Sequence, residues 1–192
     1  TWRSPNFVYR PSGTENVKLL LKNYRLSDDL AFRFSDRAWE QYPLNADTYS
    51  TWIDSALGER GDVVNLFMDY ETFGENVWED TGIFGFFEHF VGEWLKNENH
   101  TFYTVTEAAD SFEVRDEVSM PNTVTWADTE RDLSAWLGNN MQHESMHHLY
   151  AVENDILRSG DINLIADWRK LTTSDHSYYM CTKWSSDGDV HA

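Results

Sequence analysis

Cysteine is almost missing from this sequence: Cys181 stands alone among 192 residues. A lone thiol excludes an internal disulfide framework and a cysteine-rich zinc site, and it favours a reducing compartment such as the cytoplasm. Lysine is also scarce, with five residues. Lys and Arg together number 15 against 33 Asp and Glu, a formal net charge of −18. A surface this acidic repels phosphate backbones and anionic lipid, so neither nucleic acid nor membrane is an expected partner. The same balance suits either a high-salt cytoplasm or plain solubility. No apolar run approaches the roughly 20 residues that span a bilayer, and Thr1 does not open a charged start followed by an apolar run, so no intact secretory signal is expected. Internal repeats, low-complexity tracts and Pro/Gly-rich linkers are lacking too. One globular unit, or one piece of a larger one, is the expectation.

Aromatic side chains are abundant. Nine Trp, nine Tyr and eleven Phe make up 15% of the chain, more than a core of this size needs, so some rings are expected to face a ligand.

Periodicity suggests alternating elements in the first half. Thr14 is placed to cap a short helix, ENVKLLLKN, and LAFRFS (Leu30 to Ser35) alternates as a strand does. NADTYSTWIDSALG carries apolar residues at Tyr49, Trp52, Ile53, Ala56 and Leu57 with Gly58 at its end, a helix capped at both ends. VVNLFM (Val63 to Met68) is nearly continuously apolar and fits a parallel strand buried on both faces. Asp80 or Thr81 can cap a following amphipathic helix with Ile83, Phe84, Phe87, Phe90, Val91, Trp94 and Leu95 at helical spacing. Strand, polar loop, helix, repeated, is the pattern of a βα barrel or an open α/β sheet. After about Lys96 the character changes. A loop-like stretch with Pro121 leads into WADTERDLSAWLGNNMQHESMHHLYAVENDILRSG, read as one long helix or a helix pair ending at Gly160, and then a helix around INLIADWRKL.

The chemistry concentrates in MDYETFGE, Met68 to Glu75. In a parallel α/β fold the residues just past the C-terminal end of a strand point into the active-site crevice, and Asp69 takes that position. Strand periodicity puts Asp69 and Glu71 on one face if the strand extends that far. Two carboxylates there can share acid/base work, or one can act while the other tunes it or binds sugar hydroxyls. A solvated acidic loop is the plain alternative.

Four stretches together resemble the landmarks of family 57 glycoside hydrolases, most closely the α-amylase-like branch. They are KNYRLSDDLAFRFS (Lys22 to Ser35), NLFMDYETFGE (Asn65 to Glu75), WADTERDLSAWLGNNMQ (Trp126 to Gln142) and TSDHSYYMCTKW with DGDVH (Thr173 to His191), and they run in family order. The resemblance implies an α/β fold in which residues 1–96 are the C-terminal part of a distorted seven-stranded (β/α) barrel. Residues 97–192 would then be a mainly α-helical region packing on it. It implies action on α-1,4-glucans with retention of configuration and no cofactor. The family's acid/base Asp lies in the motif matched by DYETFG, so Asp69 is the expected general acid/base, with Glu71 binding substrate or orienting it. The family's Glu nucleophile lies well before RSPNFVYRP. The chain therefore looks like a portion of an enzyme about twice its length, with little hydrolytic activity alone and the remainder of that enzyme as its partner. TSDHSYYM resembles the last conserved region. Asp175 and His176 there offer contacts for sugar hydroxyls, while Tyr178 or Tyr179 offers a ring face; a helix-to-loop junction capped by Asp175 is the alternative. Trp78 can stack on a sugar or anchor a core. A rival of another class is a non-catalytic α-glucan-binding or accessory polypeptide of the same fold.

The run HESMHH, His143 to His148, satisfies the H-E-x-x-H pattern of zinc peptidases. His143 and His147 share a helical face. A metzincin continuation needs Gly at position 150 and His at position 153, where the chain has Tyr150 and Glu153. Met141, Leu149, Val152 and Ile156 cluster on the other side, so the histidines are expected on a solvated face with no metal. Asp187 to Asp189 (DGD) falls short of a calcium loop and reads as a turn.

Overall fold

The computed structural model describes residues 3–127 and 129–183. They divide into two units, Thr1–Ser119 and Met120–Ala192. The first is mixed α/β. The second, in its described residues, is helical.

A small sheet opens the first unit. Strand β1 (Val8–Pro11) lies between β2 (Leu19–Leu20), antiparallel to it, and β3 (Val114–Val118), parallel to it. The helix expected over residues 15–23 does not form. The Thr14 hydroxyl donates to the Pro11 carbonyl at 3.0 Å, closing a turn in which Gly13 takes φ 81°, and Leu19 and Leu20 then pair with Tyr9 and Val8. Strand β3 also had no signal in the periodicity. Its side chains are tied to the start of the chain through Arg10 to Glu117 (Nη2 to Oε1 2.5 Å) and Arg3 to Asp116 (3.0 Å). This pairing ties Val114–Val118 to the start of the chain, within the unit that runs to Ser119. Ahead of β3, α4 (Val105–Ser111) starts with a complete capping box between Thr104 and Glu107. The Thr104 backbone N–H, then its hydroxyl, hold the Glu107 carboxyl below its ordinary pKa.

LAFRFS is helical, which corrects the strand expectation: α1 (Tyr24–Asp28) continues into a π-type turn, Asp29–Arg33. Asn23 caps it, its Oδ1 accepting the Leu26 N–H at 3.3 Å, and the Ser27 hydroxyl donates to the Asn23 carbonyl at 2.8 Å. Leu26, Leu30 and Phe34, four apart, are buried, while Phe32 is exposed. Helix α2 (Ala46–Leu57) forms as its pattern predicts, capped by Asn45 through the Thr48 N–H and ended at Gly58 with φ 55°. Helix α3 (Ile83–Trp94) begins at Gly82 in the left-handed conformation, with no side-chain cap from Asp80 or Thr81. Its buried face is Ile83, Phe86, Phe90 and Trp94, and Phe84, Val91 and Leu95 are exposed.

These helices share one core, in which Tyr49, Phe86, Phe90 and Phe34 meet edge to face at centroid distances of 5.0 to 5.6 Å. Each such buried ring contributes on the order of 2 kcal/mol from transfer alone. Part of the aromatic content is thus core, while rings such as Phe32, Tyr70, Trp78 and Trp126 are exposed.

Val63 to Met68 is extended but belongs to no sheet strand. Its one bridge joins Asn65 to Lys22, parallel. The segment is half-buried, and Phe67 is exposed. The described residues therefore contain a three-stranded sheet and many helices, and the repeated strand–helix pattern is not what they form.

In the second unit the long helical stretch is broken into α5 (Ser134–Leu137), α6 (Asn140–Ala151) and α7 (Glu153–Ser159), which ends at Gly160 with φ 67°. Asp161 caps α8 (Ile162–Leu171), and α9 (Ser174–Tyr178) follows. Gln142, fully buried, joins three of these helices. Its Nε2 donates to the carbonyls of Ala135 (2.7 Å) and Ser177 (2.9 Å), and its Oε1 accepts from Gly138 (2.8 Å) and Asn139 (3.1 Å). All four hydrogen-bonding positions of the amide are used.

Candidate functional site

The segment leading to Asp69 is held by buried polar groups. The Asn6 carbonyl accepts the N–H groups of Asp62 (2.9 Å) and Val63 (3.2 Å). The Asn23 N–H donates to the Asn65 carbonyl (2.9 Å), Asn65 Nδ2 donates to the Leu21 carbonyl (3.0 Å), and the Phe67 N–H donates to Ser27 Oγ (3.1 Å). Asn6, Asn23, Ser27 and Asn65 are all buried, and each is satisfied by these bonds and by Asn23 Nδ2 to Asn6 Oδ1 at 3.1 Å. KNYRLS and NLFMDYE are therefore two sides of one hydrogen-bonded seam.

At Asp69 the chain turns. Tyr70–Thr72 is a 3-10 turn closed by Thr72 N–H to the Asp69 carbonyl (3.1 Å). The loop then folds back: Asn76 N–H to the Glu71 carbonyl (2.8 Å), Val77 N–H to the Thr72 carbonyl (2.9 Å), and Gly74 N–H to the Val77 carbonyl (3.0 Å), with Gly74 at φ 103°. Thr72 and Val77 are buried, and Phe73 packs edge to face on Phe87 at 4.7 Å. The loop is pinned from below by these three residues and displays the others. Asp69, Glu71 and Glu75 are exposed carboxylates, Tyr70 is 96% exposed, and Trp78 is 64% exposed with its indole N–H donating to the Glu75 carbonyl. Neither Asp69 nor Glu71 makes a side-chain hydrogen bond or ion pair with another described residue.

Asp69, Glu71 and Trp78 belong to this one loop, and the strand on which the two carboxylates were expected to share a face does not extend past Asp69. Asp69 is extended (φ −70°, ψ 150°), whereas Glu71 lies inside the 3-10 turn Tyr70–Thr72, so strand periodicity does not relate the two. Tyr70, the most exposed ring of the loop, had no signal in the sequence beyond its place between the two acids. An apolar groove of about 590 Å³ lies beside the segment, lined by Leu66, Phe67, Phe87, Val91 and Trp94 among others. Asp69 is not among its lining residues.

Asp175, His176 and Tyr178 lie on α9 of the second unit. Asp175 and His176 are exposed and Tyr178 is half-buried, its ring 5.2 Å from that of Trp136. The cap of α9 is Thr173, not Asp175. Tyr179 is exposed. On α6, His143, Glu144 and His147 are exposed, and Glu144 faces His148 at 3.6 Å. Met141 and Val152, expected on the inner side, are exposed as well, because Gln142 takes the buried position. Among the described residues, no group of three or more His, Cys, Asp or Glu is placed to hold a metal ion. Asp187 to Asp189 lie outside the described residues.

The model of Glycosyl hydrolase family 57 matches residues 1–121. A curated protein of Methanocaldococcus jannaschii named "Putative alpha-amylase" is 44% identical over 200 aligned positions, covering 99% of this chain. The chain spans 42% of the length of that relative. No solved structure matches.

Proposed function

Because the chain belongs to glycosyl hydrolase family 57, we propose that it is a portion of a retaining hydrolase of α-1,4-glucans and maltooligosaccharides, with Asp69 as its general acid/base. The observation that carries this reading is the loop at Asp69. A buried hydrogen-bonded seam delivers the segment, Thr72, Phe73 and Val77 pin the turn, and the carboxylate stands exposed on a fixed backbone. A proton-transfer group needs this combination of access and fixed position.

On this reading Asp69 protonates the glycosidic oxygen as a Glu nucleophile, carried by the rest of the polypeptide, attacks the anomeric carbon. It then takes a proton from the water that releases the glycosyl ester. The two carboxyl groups of a retaining pair stand about 5–5.5 Å apart. Glu71 and Trp78 would bind the sugar beside Asp69, and Asp175, His176 and Tyr178 would supply further hydroxyl and ring contacts. Residues 1–96 are proposed as the closing part of a seven-stranded βα barrel, with Val63 to Met68 as one of its strands, and residues 97–192 as the helical region beyond it. A cytoplasmic location fits the single cysteine.

Asp69→Asn in the complete polypeptide tests the assignment. It keeps the shape and removes the proton donor, so turnover of maltooligosaccharide is expected to fall by roughly 10² to 10⁴-fold with an unchanged circular dichroism spectrum. Wild-type turnover would overturn the assignment. Absence of a nucleophile Glu from the natural polypeptide would leave a glucan-binding protein instead.

A further inference from the structure

A cavity of about 610 Å³ lies between α1 with its π-type turn, the loop that follows, and α2 of the first unit. Arg25, Asp29, Arg33, Trp39, Gln41 and Trp52 are among its lining residues, and none of them takes part in the catalytic reading. Its size falls within the roughly 300–1,000 Å³ of small-molecule sites. Its charge runs against that of the chain. Acidic residues outnumber basic ones by 33 to 15 overall, yet the charged side chains of the cavity are two arginines and one aspartate.

That aspartate is already engaged. Asp29 is 14% exposed and accepts from Arg33 Nη1, whose guanidinium stays 44% exposed with most of its five N–H donors unused. Arg25 makes no side-chain hydrogen bond or ion pair with another described residue. Trp39 and Trp52 are half-buried, with ring centroids 6.0 Å apart at 70°. They pack on the core below, and neither indole N–H meets an acceptor among the described residues. Two guanidinium forks, two indole surfaces and free N–H donors thus line one opening.

We propose that this cavity binds a nucleoside phosphate, with the phosphate between Arg25 and Arg33 and the base against the corner made by Trp39 and Trp52. Guanidinium forks match phosphate oxygens two at a time. A phosphate monoester carries about −1.5 to −2 charges near pH 7 and three terminal oxygens, enough for two forks, whereas a carboxylate fills one. A neutral sugar leaves both cations unanswered, so the cavity does not suit a glucan. Bases stack on aromatic side chains through the π-face that every base has. The surplus acid elsewhere opposes any anion, but at about 0.15 M ionic strength it is screened beyond about 8 Å, while the guanidiniums touch the ligand. The site is independent of Asp69 and of the glucan reading.

The test is isothermal titration calorimetry of the 192-residue chain, at low salt with EDTA, against adenosine monophosphate, adenosine, ribose phosphate and inorganic phosphate. Adenosine monophosphate should bind roughly tenfold or more tighter than each of the other three, because only it engages both the forks and the indoles. Arg25→Gln, at an exposed position with no partner to lose, should weaken that binding roughly tenfold or more with an unchanged circular dichroism spectrum. Arg25→Lys should recover only part of it, since it keeps the charge and loses the fork. Asp69→Asn should bind like the wild type. No binding of adenosine monophosphate, or unchanged binding by Arg25→Gln, would overturn the site. Adenosine binding as tightly as its phosphate would remove the arginines from it, and ribose phosphate or inorganic phosphate binding as tightly would remove the indoles; either result overturns the proposal.

Discussion

Single polar residues decide much of the local structure, and their partners are far away in sequence. Gln142 looks like one more polar residue of an indifferent helix, yet it is fully buried with every donor and acceptor used. Tyr49 is comparable: its ring is buried among Phe86 and Phe90, and its hydroxyl donates to the Leu26 carbonyl at 2.8 Å. Burial, with the nearby Asp29 charge second, pushes its phenol far above the ordinary value near 10. The folded state thus keeps the proton where the unfolded chain releases it. Above pH 10 the unfolded state binds fewer protons, so stability should fall as pH rises, by up to about 1.4 kcal/mol per pH unit from this group. Chemical denaturation between pH 8 and pH 11 checks this, and Tyr49→Phe should flatten the slope; an equal slope in the variant would show that other groups set it. At this scale the place of Asp69, an exposed carboxylate directly after an apolar run, could be read from DYETFG, and its role remains the proposal made above. The pins beneath it could not be read, because Thr72 and Val77 are ordinary residues until the backbone bonds of the 3-10 turn bury them.

Helices with both a cap and a clear apolar face were legible as elements. Asn45 and Gly58 bracket α2, and Asp161 opens α8. LAFRFS was ambiguous because Leu30, Phe32 and Phe34 fit period two while Leu26, Leu30 and Phe34 fit period four. Only the Asn23 and Ser27 bonds, at the start of the helix, settle it. Val63 to Met68 has a strand's composition and backbone, but sheet pairing is a property of neighbours. On one edge Val63, Asn65 and Phe67 bond to Asn6, the Lys22–Asn23 region and Ser27, while the N–H groups of Val64, Leu66 and Met68 meet no partner among the described residues. Hydrogen exchange of this chain should therefore be faster at Val64, Leu66 and Met68 than at Val63 and Phe67. In the complete polypeptide, the proposed barrel places a parallel strand on the open edge, and the three fast amides should become slow. Equal exchange rates in both would remove the barrel proposal for this segment.

Charge acts on the molecule as a whole. With 33 acidic and 15 basic residues, a net charge of −18 remains even if every cation is paired. Two salt effects then oppose one another. Ion pairs such as Arg115 with Asp62 (2.7 and 2.9 Å), Arg10 with Glu117 and Arg3 with Asp116 weaken as salt is added. They are exposed enough that each is worth only about 0–1 kcal/mol. The repulsion among the surplus carboxylates also weakens, and it acts over the whole surface: the screening length falls from about 30 Å at 0.01 M to about 3 Å at 1 M. Repulsion favours expansion of the chain, so removing it stabilises the folded units. The larger sum lies with the surplus, and the melting temperature should rise between 0.01 and 1 M KCl, on the order of several degrees. Potassium chloride is the salt to use, since sulfate would add its own strengthening of apolar burial. A fall in melting temperature over that range would mean that the few ion pairs around β3 outweigh the surplus charge.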